Sequence, residues 1–295
     1  MLSAEGARFD TGAVAMAVAR RIGNSGERVL FVDADASGSR LAQRFGGADS
    51  AAYSPADRGL PSLIVAREPL TLRLLAQHCY SLDVANGSLW SLFGPHHPAG
   101  AQYAARWLAE RVENLVAVGA QRRLVVSSTL RSAAEHLAPL LSAAQVVAVA
   151  ARVATIDDAR ALMAQSRDAG LRRHGSGQQA LIVEGDSPLG DDEIFLESGM
   201  RVAGRLPVID DDRILRLQGG RRDRSFTNHL DDIAARLLAL LNLVGASDAD
   251  HDDAGTATDL RLAEHPEPQP AVNGTHDRPP HAARLDHAAR SEERV

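Results

Sequence analysis

Paired cysteines, long apolar runs and an excess of positive charge are all missing from this sequence, and each absence excludes a class of protein. The single cysteine among 295 residues, Cys79, has no partner for an intramolecular disulfide. Its apolar surroundings, LLAQHCYSL, mark it as a buried structural thiol. No stretch of about 18 apolar residues exists, and the first residues lack the basic-then-apolar pattern of a secretory signal. The expected location is the cytoplasm, with no transmembrane segment. A net charge of −6 works against non-specific binding to nucleic acid, which depends on cations neutralising phosphates.

What is present suits one substantial core, since 45% of the chain is hydrophobic. Short β-branched runs stand at 28–32 (RVLFV), 82–85 (LDVA), 123–127 (RLVVS), 145–150 (QVVAVA), 180–184 (ALIVE) and 201–207 (RVAGRLP). Between them AVAMAVARRI, YAARWLAERVENLV, EHLAPLLSA and DDARALMAQSRDAG carry apolar residues at helical spacing. This alternation predicts βαβ units. Strands apolar on both faces predict a doubly wound, mostly parallel α/β sheet with helices on either side. Apolar periodicity stops near Ser247, so the expected division is one domain over 1–245 and a disordered tail over 246–295.

The most informative stretch is GERVLFVDADASGSRLAQRFG, a strand ending in Asp33 and Asp35 before a glycine-bearing turn and a helix. It resembles the second strand and first switch of MinD/ParA P-loop ATPases. Upstream, SAEGARFDTGA lies where those proteins place their phosphate-binding loop. Downstream, LDVANGS, AAQVVAVAARVATIDDARALM and VAGRLPVIDDDRILRL resemble later strands and turns of that family. The resemblance covers residues 2 to 243, with the first strand truncated, and its layout is closest to actinobacterial MinD-like proteins of the CpaE/TadZ branch. It implies a three-layer P-loop NTPase fold.

The resemblance also implies site residues, several of them altered. A working loop uses glycines, a lysine on the β- and γ-phosphates and a Ser/Thr hydroxyl on magnesium. Here Gly6 and Thr11 remain, while Glu5 stands at the signature lysine, Asp10 at the main loop lysine and Phe9 at a glycine position. Ser127 replaces the Walker B aspartate. The degenerate nucleotide site would thus comprise Gly6, Asp10, Thr11, Asp33 and Ser127. If the site were active, the resemblance implies that Asp35 would be its catalytic residue, helping to organise the attacking water, with Thr11 and Asp35 on magnesium. A unit charge pair at about 4 Å is worth roughly 1 kcal/mol in water and about 4 near a protein surface. Two reversals from lysine to acid therefore imply at least about a thousandfold loss of ATP affinity. Asp10 has another role open to it, as the N-cap of the following helix.

These readings lead to a pseudo-ATPase that needs no cofactor and works through protein partners. It would position or partition a cell-envelope, pilus or secretion, or division apparatus, reaching membrane or pole through those partners. Any homodimer would not be driven by ATP. Two alternatives remain: an active ATPase using ATP and magnesium at an unconventional site, and a ParA-like DNA-partitioning factor, which the acidic balance disfavours.

Overall fold

The computed structural model of the chain describes residues 1–7, 10–46, 58–82, 84–171, 177–208, 214 and 221–255. Met1–Asp252 forms one compact unit; the second unit, Asp253–Val295, is described only as far as Gly255.

Eight strands make one sheet: β1 (Leu2–Ser3), β2 (Arg28–Asp33), β3 (Tyr80–Leu82), β4 (Ser88–Leu92), β5 (Arg123–Thr129), β6 (Val146–Ala151), β7 (Gln178–Glu184) and β8 (Arg201–Leu206). Their order is β3-β4-β2-β5-β1-β6-β7-β8, and every pairing is parallel except the edge hairpin of β3 with β4. The helices are α1 (Thr11–Asn24), α2 (Leu41–Gly46), α3 (Leu60–Ala66), α4 (Leu72–His78), α5 (Pro98–Ala109), α6 (Val112–Gly119), α7 (Leu130–His136), α8 (Ala138–Ala143), α9 (Ile156–Asp168), α10 (Asp191–Ser198) and α11 (Arg221–Gly255).

Strand β2 shows why the sheet is covered on both faces. Val29 and Phe31 pack with α1 and α11, while Leu30 and Val32 pack with the helices of the opposite layer, and all four are fully buried. Alternating side chains of a central strand must be apolar in both directions, which RVLFV supplies.

Three expectations need correction. The predicted strand over 82–85 keeps only Leu82; the chain turns at 84–87 and returns as β4. Asn86-Gly87 favours such a tight turn, and SLWSL is a strand that serine breaks up in the apolar pattern. YAARWLAERVENLV is two helices, because Arg111 leaves helical geometry (φ −118, ψ 25). EHLAPLLSA divides likewise, at Leu137, where Pro139 can only open the next helix. The closing helix runs from Arg221 to Gly255. Residues 256–295 and the acidic turn at 209–213 lie outside the described residues.

Phe31→Ala should cost about 3–5 kcal/mol, as for a large aromatic deleted from a fully packed core. Urea unfolding would show a lower midpoint at unchanged slope. A loss below about 1 kcal/mol would mean that β2 is not a central, doubly covered strand.

Candidate functional site

Helix α1 begins at the centre of the sheet, with its N-terminus just beyond the ends of β2 and β5. The first N–H groups of any helix have no partner within it and carry partial positive charge, so an acceptor is required there. Asp10 supplies it. One carboxylate oxygen, Oδ1, accepts from the amides of Gly12 (2.8 Å) and Ala13 (3.3 Å), with Asp10 in extended geometry as the N-cap. The other, Oδ2, takes the Arg44 guanidinium at 2.6 Å. Arg44 comes from α2, immediately after the turn that follows β2. The loop before Asp10 begins with Gly6 in left-handed geometry (φ 84), and the amide of exposed Glu5 donates to Gln165 Oε1 at 2.9 Å. Thr11 is the buried first residue of α1. Phe9 lies outside the described residues.

Beneath α1, Asp33 and Ser127 are register partners at the ends of β2 and β5. Paired residues on neighbouring strands share a face, so both side chains stand on the α1 side. Both are buried, and neither Asp33 Oδ2 nor Ser127 Oγ has a hydrogen-bond partner among the described residues. Burial pushes the Asp33 carboxyl from 3.8 up to about 7; the charges of Asp10 and Asp35 add to the rise, and bonds from Ser39 and the Gly94 amide oppose it. Gly94 is needed at this contact, since a Cβ there would lie 2.6 Å from the Asp33 carbonyl oxygen.

Asp35 faces elsewhere. Its Oδ1 accepts from the Ser37 amide (3.0 Å), the Ser37 hydroxyl (2.9 Å) and the hydroxyl of Ser132 on α7 (3.3 Å). The turn beyond it is held against the loop before α5: Ser39 N donates to Pro95 O at 3.0 Å, and a Cβ on Gly38 would lie 2.4 Å from His96 O. Gly38, at φ 93, is therefore required twice over.

The structure thus gathers Asp10, Thr11, Asp33 and Ser127 at the head of α1 and turns Asp35 toward α7. Motif comparison missed Arg44, because its role depends on where α2 falls in space. A stronger signal lies in composition: the sequence contains no lysine at any position. No lysine side chain is therefore available to any anion site in this sequence. Among the described residues, no group of three or more His, Cys, Asp or Glu converges to hold a metal.

No protein-family model and no curated protein matches the sequence. Solved structures do match the fold. A ParA family ATPase from Chlorobium tepidum TLS aligns with a TM-score of 0.59 at 15% identity, over 80% of this chain and 96% of that one. The MinD cell division protein of Aquifex aeolicus gives 0.54 at 14% identity, over 81% and 95%. Apo McdA of Cyanthece gives 0.50 at 15% identity, over 79% and 97%. At such identities the likeness defines the fold, which is that of the ParA/MinD P-loop ATPases. No described helix is long and apolar enough to cross a membrane.

The raised Asp33 pKa has a pH signature. The folded state holds the proton more tightly than the unfolded state, so Asp33 costs nothing below about pH 4. Stability then falls by up to about 4 kcal/mol as pH rises from about 4 to 7. Asp33→Asn should remove that slope, so its stability relative to the parent should climb between pH 4 and pH 8 in urea titrations. A constant difference across that range would contradict a buried, desolvated carboxyl.

Proposed function

We propose that this chain is a ParA/MinD-fold protein whose nucleotide site has become a structural joint. On this reading it acts through protein partners in positioning or partitioning a cell-envelope, pilus or secretion, or division apparatus. The observation that carries the proposal is the seat of Asp10. In a P-loop the amides opening the first helix receive a phosphate. Here a carboxylate of this chain occupies the Gly12 and Ala13 amides, and Arg44 neutralises it.

The donor set does not fit ATP with magnesium. Asp10 directs negative charge at the phosphate position, and no lysine exists to offset it. Ser127 brings no charge to the end of β5, and Asp35 Oδ1 already accepts three bonds within the chain. What its residues do instead is mechanical: Asp10 and Arg44 tie the start of α1 to α2. The turn between β2 and α2 is thereby fixed in one state, where an ATPase of this fold would switch it. A surface that does not change with nucleotide suits a constitutive partner.

Calorimetric titration with ATP and magnesium should show no binding at millimolar concentrations, and light scattering should give the same mass with and without ATP. Ligands that do not distinguish two states cannot shift them. Micromolar affinity, or a dimer that appears only with ATP, would overturn the reading in favour of an active ATPase.

A further inference from the structure

The end of the sheet opposite the head of α1 carries two positive charges that no described carboxylate pairs. Strand register sets Arg28 of β2 beside Ser88 of β4, with Leu30, Trp90 and Leu124 in the next row of the same face. Arg122, the residue before β5, shares that face by alternation. Its side chain crosses β2. Nη1 donates to Ser88 Oγ at 2.9 Å and to Val29 O at 3.5 Å, and the guanidinium carbon lies 3.5 Å from the centre of the half-buried Trp90 ring.

These contacts fix Arg122 in one pose. They use both hydrogens of Nη1, while those of Nε and Nη2 have no partner among the described residues. Arg28 is exposed, and neither arginine forms an ion pair among the described residues. Glu27, the acid adjoining Arg28, is engaged by Arg123 at 3.4 Å. Burial lowers the Arg122 pKa, and the neighbouring charge of Arg28 lowers it further. Two adjacent guanidiniums, one half-buried against an indole, are relieved by an anion.

We propose that Arg28 and Arg122, floored by Trp90, form a binding site for a side-chain carboxylate in an acidic segment of a protein partner. The open edge of Arg122 carries Nε and Nη2, whose parallel N–H groups match the two oxygens of a carboxylate. The floor of Trp90, Leu30 and Leu124 favours an anion that sheds water readily, and a single-charged carboxylate does so more easily than a phosphate dianion. Nucleic acid is disfavoured, since it needs cations along its whole track and the net charge is −6. Arg28 opens β2 and Asp33 closes it beneath α1, so the two sites stand about 16 Å apart. A partner seated at Arg28 and Arg122 would be indifferent to the nucleotide position. The inference rests on the reading that this chain acts through protein partners, and its readout at Trp90 is separate from ATP titration, so either can fail alone.

The test adds the peptide acetyl-Glu-Glu-Leu-Glu-Glu-amide to the full chain and follows the Trp90 indole N–H and the Arg28 and Ser88 amides by NMR. All three should shift to saturation at submillimolar peptide, less tightly as salt is raised. Affinity should fall at least about tenfold in Arg28→Gln, an exposed change that leaves Tm unaltered. Arg122→Lys keeps the charge but loses the fork, and should weaken binding to a similar degree. Equal binding of the Gln counterpart peptide, of inorganic phosphate or of duplex DNA would overturn the proposal, as would the absence of any shift. Asp83, beyond the end of β3, lies outside the described residues. Shifts that appear only in Asp83→Asn would show that the chain fills the site with its own acid, and would overturn the proposal too.

Discussion

The first turn of α1 cannot stand at the centre of this sheet without a negative partner, and the rest of the site follows from how that demand is met. Amides opening a helix against a packed sheet have little water to turn to, and an unmet buried donor costs on the order of 1–3 kcal/mol. A nucleotide-binding protein can meet the demand with a phosphate. Here the chain meets it with Asp10. Once a carboxylate sits there, a nearby cation becomes favourable and a second anion unfavourable, and Arg44 closes the pair.

The same electrostatics make sense of Ser127. An aspartate there would put two carboxyls side by side as register partners at the ends of β2 and β5, with Asp10 above them. Asp33 alone already has its pKa raised to about 7. A neutral hydroxyl leaves one titrating group beneath α1 instead of two.

Most of the fold was legible in the sequence because doubly covered parallel strands leave an unmistakable trace: VLFV (29–32), VVAVA (146–150) and ALIV (180–183) are apolar without interruption. The edge was not, since serines at 88 and 91 interrupt the apolar run of β4, which pairs with the edge strand β3. Asp10 was legible as a cap because capping is local, a matter of one residue and the two amides after it. Arg44 and the direction taken by Asp35 were not. Each depends on which elements become neighbours in space, and spacing along the chain carries no trace of that. The absence of lysine was legible throughout and bears on the site as much as any motif.

The claim at the centre of this account is that Asp10 occupies the anion position at the head of α1. The most direct measurement is the amide NMR of Gly12 and Ala13 as ATP with magnesium is added, in the parent protein and in Asp10→Ala. In the parent both resonances should stay unmoved at millimolar nucleotide, since their hydrogen bonds are taken by Asp10, while in Asp10→Ala they should shift as added phosphate groups reach the vacated amides. Saturating shifts of both amides in the parent at micromolar ATP would show that the position is open to phosphate, and would contradict the account.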